Sequence, residues 1–139
     1  MTKQEWLFFI AFTDETRLRI LNLLSYGEAC INLICETLKQ PQPKISRHIS
    51  VLKEAKLVRG RRDGKWIHYR LVKPENPYFA EILKNILSWL SQQDELKHDI
   101  KEFFKIITSP EKKLPKSNIF VKTDTRIKEC KKELEIFLL

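Results

Sequence analysis

Three thiols and a block of cations are the side chains of this chain best equipped for chemistry. Cys30, Cys35 and Cys130 are its only cysteines in 139 residues. A thiolate is a soft ligand for thiophilic metals and a nucleophile, whereas a buried free thiol behaves as a small, inert hydrophobe. An odd cysteine count in a chain that is 42% hydrophobic does not fit the disulfide framework of a small secreted domain. A reducing, cytoplasmic setting is therefore expected. Five residues along a regular helix turn the chain by about 140°, so Cys30 and Cys35 converge only if Cys30 stands ahead of the first helical turn.

The cations are concentrated. Residues 1–38 carry 3 Lys/Arg against 5 Asp/Glu, residues 39–72 carry 10 against 2, and residues 73–139 carry 13 against 11. The whole formal charge of +8 thus resides in the middle quarter. Charge serving only solubility would be spread along the chain, so this segment reads as a docking face for a polyanion. No Gly-rich phosphate loop and no recognisable nucleophile–base constellation accompanies it, and an enzyme is not expected.

These residues need elements to hold them. The run Trp6-Leu7-Phe8-Phe9-Ile10-Ala11-Phe12 is too short to cross a bilayer and lacks a small-residue cleavage site, so neither a membrane segment nor a signal peptide is expected. As a helix it is apolar all round and demands cover, which points to a second subunit. Thr13 or Asp14 can cap a second helix with Leu18, Leu21 and Leu24 at helical spacing before Gly27. A third spans about Ile31–Leu38, with Leu33, Ile34 and Leu38 inward. Pro43 suits the first turn of a fourth. There Ile45, Ile49 and Leu52 stack on one face and leave Lys44, Ser46, Arg47 and Ser50 on the flanks and far side.

Beyond Leu57 the period shortens. Two β-prone runs flank Asp63-Gly64, a strong hairpin signal, and carry Arg59, Arg61, Arg62, Lys65 and Arg70. Residues 77–107 return to helical spacing and predict one long helix striped with Phe79, Ile82, Leu83, Ile86, Leu90, Leu96, Ile100, Phe103 and Ile107. Asp94, Glu95, His98, Asp99 and Glu102 read as its charged, solvated face. Ser109-Pro110 and Pro115 mark a linker, followed by a short strand at Ile119-Phe120-Val121 and a terminal helix over 125–138. The expected fold is mainly α with a two-stranded β-hairpin wing: a winged helix-turn-helix domain over 1–107 and a C-terminal extension over 108–139.

Three stretches in order, Asp14-Glu15-Thr16-Arg17-Leu18-Arg19-Ile20-Leu21, Gln42-Pro43-Lys44-Ile45-Ser46-Arg47-His48 and Asp63-Gly64-Lys65-Trp66-Ile67-His68-Tyr69-Arg70-Leu71, resemble the ArsR (ArsR/SmtB) family of metal- and metalloid-responsive repressors. The resemblance covers about residues 5–90. It implies a homodimer joined through the first and last domain helices, gripping a palindromic double-stranded DNA operator and released by an effector. DNA-binding residues are then expected at Gln42, Lys44, Ser46, Arg47, His48 and Ser50 in the groove and at Arg59, Arg61, Arg62, Lys65 and Arg70 along the backbone. His48 and His68 read as packing or phosphate-contact residues rather than ligands.

Arsenic-sensing members of the family begin the third helix with Cys-x-Cys. Here Glu28-Ala29-Cys30-Ile31-Asn32-Leu33-Ile34-Cys35 matches the first thiol at Cys30 and the last at Cys35, with Asn32 in the middle position. The resemblance implies As(III), Sb(III) or another thiophilic metal as inducer at Cys30 and Cys35, with Cys130 the candidate third ligand and no cofactor needed for DNA binding. The alternatives are a thiol-redox-responsive or effector-independent winged-helix regulator, and a winged helix serving as a protein-interaction module.

Overall fold

The computed structural model describes residues 1–109. Helix α1 (Lys3–Ile10) opens on a capping box in which the Thr2 hydroxyl accepts from the Glu5 amide and Glu5 returns the bond to the Thr2 amide. Asp14 caps α2 (Glu15–Leu24), accepting from the Arg17 amide at 3.1 Å. Strand β1 (Ala29–Cys30) leads directly into α3 (Ile31–Leu38). The α3–α4 turn is made by Lys39, whose φ of 54° is left-handed, with the Gln40 amide donating to the Cys35 carbonyl at 3.1 Å. Pro41 precedes α4 (Gln42–Glu54), and Pro43 occupies its first turn, as expected.

Strands β2 (Val58–Asp63) and β3 (Trp66–Leu71) form the wing, followed by α5 (Pro77–Leu90) and α6 (Asp94–Thr108). Residues of α2, α3 and α4 meet in one core, with Ile20, Leu21, Leu23, Leu33, Ile34, Leu38, Ile45, Ile49 and Leu52 fully enclosed. Burying each such aliphatic side chain is worth about 1.5–3 kcal/mol, so this cluster holds the helix-turn-helix together.

The winged architecture is as read from the sequence, with three differences. The sheet has three strands in the order β1-β3-β2, because Ala29 and Cys30 pair with Tyr69 and His68. Asp63 pairs with Trp66, so the wing turns on Gly64-Lys65, one residue later than Asp63-Gly64. Gly64 takes φ +59° at the first loop position and Lys65 has no positive φ, the pattern of a type II′ turn.

The third difference concerns 77–107, which form two helices rather than one. Ser91 ends α5 and the chain re-enters a helix at Asp94, which lets α6 fold back on α2 and α3. Leu96, Ile100, Phe103 and Ile106 are buried there, and Phe104 meets Tyr26 edge to face at 6.3 Å. Asp99 is not on a solvated face: it is 3% exposed and takes both Nε and Nη2 of Arg19 at 2.8 Å. The linker, the strand at 119–121, the helix at 125–138 and Cys130 lie outside the described residues.

The two partners of this bidentate pair differ in access to water, Arg19 being 24% and Asp99 4% exposed at the side chain. Removing the arginine strands a buried carboxylate, whereas removing the carboxylate leaves a cation that can rehydrate. Chemical denaturation is expected to show Arg19→Met losing about 3 kcal/mol and Asp99→Asn clearly less. Equal losses would contradict the pair's assigned asymmetry.

Candidate nucleic-acid interface and thiol pair

Helix α4 is divided by burial. With Ile45, Ile49 and Leu52 in the core, Gln42, Arg47 and Ser50 are exposed, and Lys44, Ser46 and His48 sit half-buried at the border. The Lys44 ammonium donates to Gln40 Oε1 at 3.1 Å. Arg47 has no ion pair among the described residues. His48 Nδ1 lies 3.2 Å from Arg17 Nη1 and 3.7 Å from Asp14 Oδ1. Burial lowers the His48 pKa; Asp14 pulls it up, and Arg17, Lys44 and Arg47 push it down.

The wing's register sorts its cations. Arg59 stands directly across from Arg70, and Arg61 across from His68, on one face; Arg62, across from Ile67, projects from the other. Like charges facing each other across a ladder repel, and an anion laid against them relieves that repulsion. Lys65 Nζ lies over the Trp66 ring, 5.3 Å from its centroid, which holds the cation at the tip. Arg61 is partly engaged, its Nε donating to Glu28 Oε1 at 2.9 Å. His68 is 4% exposed with no hydrogen-bond partner at Nε2, and Asp63 Oδ2 is 4.0 Å away. Its position fits the packing reading and not phosphate contact.

Both described thiols are free. Cys30 is the residue ahead of α3, extended at φ −76° and ψ 158°, and buried. This is the placement that the spacing required for convergence with Cys35. Cys35 lies half-buried in α3, and Asn32 between them faces solvent. Burial raises the Cys35 pKa above that of a free thiol, its own backbone hydrogen bond lowers it, and the charge of Cys30 raises it again. Among the described residues no group of three or more His, Cys, Asp or Glu could hold a metal ion, so the two thiols have no described third donor.

Four engaged residues escaped the sequence reading: Arg17, Arg19 with its partner Asp99, and Glu28. Asp99 had a signal, because it falls three residues after Leu96, inside the apolar stripe it was read as opposing. Arg17 had none, since it stands in a polar first turn of α2 beside Glu15, Thr16 and Arg19. Glu28 had none, since its partner Arg61 lies 33 residues away.

A recognition helix with a polar, cationic outer face beside an arginine-bearing hairpin defines a winged helix-turn-helix DNA-binding regulator. Residues 14–59 match the family model described as bacterial regulatory protein, arsR family. The chain is 43% identical over 89 residues to the arsenical resistance operon repressor of Escherichia coli K12, covering 63% of this chain and 74% of that protein. A solution structure of a winged helix-turn-helix DNA-binding domain from Mycobacterium bovis, described as homodimeric, aligns with TM-score 0.53 at 25% identity over 68% of this chain and 83% of that one. A crystal structure of an antimony-specific transcriptional repressor aligns with TM-score 0.51 at 25% identity over 63% and 78%. The chain belongs to the ArsR family, whose members are DNA-binding transcriptional regulators rather than enzymes. No helix among the described residues is long and apolar enough to cross a membrane.

With burial holding the Cys35 thiol protonated, its alkylation is expected to be slow at neutral pH. In the Cys30→Ser/Cys130→Ser protein, iodoacetamide should modify Cys35 more slowly than free cysteine at pH 7. The rate should still be climbing at a pH where that of free cysteine has levelled off. Reaction faster than free cysteine would contradict the assigned environment.

Proposed function

We propose that this chain is a homodimeric repressor that grips a palindromic operator through α4 and the wing and is released by As(III), Sb(III) or another thiophilic metal at Cys30 and Cys35. The observation that carries the DNA reading is the division of α4: its buried stripe leaves Gln42, Lys44, Ser46, Arg47, His48 and Ser50 toward the groove side. Arg59, Arg61, Arg62, Lys65 and Arg70 on the adjoining hairpin then follow the phosphates. Residues 1–107 form the DNA-binding and dimerisation domain, and 108–139 a C-terminal extension.

The dimer is supported by apolar surface left open in the single chain. Only Phe8 of α1 is buried, while Trp6, Phe9 and Ile10 of α1 and Tyr78 and Trp89 of α5 are between 40% and 80% exposed. Phe8 stacks on Phe79 at 4.3 Å and Phe9 meets the same ring edge-on, so α1 and the start of α5 present neighbouring surfaces. Such a surface on both helices suits a second copy, as in the homodimeric Mycobacterium bovis domain.

The inducer reading draws on the arsenical and antimony repressors the chain resembles and on the extended Cys30 ahead of α3. Trivalent arsenic or antimony prefers three soft thiolates, and Asn32 is no substitute. Cys130, beyond the described residues, is the candidate third. Release requires the ligand to favour the weakly binding conformation, by a coupling of about 1–3 kcal/mol. Oxidative sensing by these thiols needs an accessible cysteine of lowered pKa, whereas burial raises that of Cys35; metal binding bears the same deprotonation cost and gains the metal–sulfur bonds in return.

Arg47→Ala and Ser46→Ala should each lose about 1–3 kcal/mol on a selected duplex and little on scrambled DNA, whereas Lys65→Ala should weaken both alike and flatten the salt slope by about one. Titrating the reduced, duplex-bound protein with As(III), Sb(III), Zn(II) and Cd(II) tests the sensor. The parent should release DNA with one or more of them, and Cys30→Ser and Cys35→Ser should not. Unchanged release by both variants would remove the thiols from the site, and a protein indifferent to duplex DNA would leave the interaction-module reading.

A further inference from the structure

Arg17 makes an unusual set of contacts for a cation that belongs to neither α4 nor the wing. Its Nε donates to the Ala11 carbonyl at 3.2 Å, and Nη2 donates to the Ile10 carbonyl at 3.2 Å and to Thr13 Oγ1 at 3.3 Å. These carbonyls belong to the end of α1, which has no basic residue of its own in the last turn; that of Ile10 also accepts from the Thr13 amide and hydroxyl. The remaining arm, Nη1, reaches 3.2 Å to His48 Nδ1 in the recognition helix. One guanidinium therefore ties three elements together: the end of α1, the start of α2 and the border of the groove face of α4.

The chemistry of that last contact is one-sided. A guanidinium only donates, so Nδ1 must accept, and the imidazole proton sits on Nε2. If a proton from solvent adds to Nδ1, the acceptor disappears and two cations face each other. The groups around the ring are Asp14 and Arg17 from α2, Lys44 and Arg47 from α4, and the carbonyl-terminated end of α1. Three of the four charged groups oppose a positive ring. Asp14 at 3.7 Å would favour it, but that carboxylate already caps α2 through the Arg17 amide.

We infer that His48 is a positioning residue: its neutral imidazole, held at Nδ1 by Arg17, locks the recognition helix to the α1–α2 junction, so sequence-specific DNA affinity is lost when Nδ1 is protonated. The inference rests on the proposed DNA-binding reading. It adds an acid-sensitive control independent of the thiols and makes Arg17, which projects from no groove face, necessary for specificity. Burial keeps the ring's pKa below that of a free histidine, so the lock is closed at neutral pH and opens as the solution becomes acidic.

The test uses the full chain, a duplex it selects from a random-sequence pool at about pH 8, and a scrambled duplex. The readout is the ratio of the two affinities between about pH 5 and pH 8. Because other protonations strengthen binding to any polyanion, the ratio reports the lock where a single affinity would not. The parent's ratio should fall about fivefold or more on acidification. His48→Asn offers an acceptor oxygen near the Nδ1 position and does not titrate, so its ratio should stay flat whatever its level. Arg17→Met should bring the ratio at pH 8 down to the parent's acid value, with a thermal melt confirming that it is folded. A pH-independent ratio in the parent, or full pH dependence in His48→Asn, overturns the inference while leaving DNA binding intact. Failure to enrich any duplex at pH 8 overturns the DNA-binding reading itself.

Discussion

The whole arrangement depends on one constraint: Ile45, Ile49 and Leu52 must lie in the core. Each is no more than 2% exposed, and together they fix the rotation of α4 about its axis. Once that rotation is set, the side chains left over have no freedom to choose their face. Arg47 and Ser50 are directed outward and His48 is held at the border. Turning the helix to bury a different stripe would cost several kcal/mol of aliphatic burial, more than any surface contact returns. A polar, cationic outer face is thus enforced from the inside.

The wing and the α1–α2 junction work within that frame. Strand β3 lies between β1 and β2, so the hairpin that carries Arg59 and Arg70 is joined to the strand that ends in Cys30. Cys30 is at once the last residue of β1, the residue ahead of α3, and the cross-strand neighbour of His68. A ligand that draws Cys30 toward Cys35 acts on the point where the sheet meets the helix-turn-helix. That is a physical path from thiol to wing, made of backbone pairing rather than of distance alone.

Much of this was legible in the sequence where the signal was local. The stripe of α4 and the start and end of α3 follow from spacing and turn chemistry, as does the existence of the wing. What escaped was set by contacts between distant residues. Two-residue β1 is too short to have a period and exists only because β3 offers an edge to pair with. The stripe over 77–107 ran on unbroken, because α5 and α6 each bury their own part of it on either side of Ser91-Gln92-Gln93. Asp99 was misread since a carboxylate inside an apolar stripe is explained only by Arg19, 80 residues earlier. Among the candidate DNA contacts, Arg61 and His48 carry internal partners as well, which no count of charges could reveal.

The central claim is that residues 39–72 form a two-part surface for duplex DNA, and salt tests it most directly. Affinity of the reduced protein for a selected duplex, measured across a range of monovalent salt, should fall linearly on a log–log plot by about 0.9 per phosphate neutralised, with a slope corresponding to several contacts. Binding that is absent at low salt, or that does not weaken as salt rises, would contradict the account.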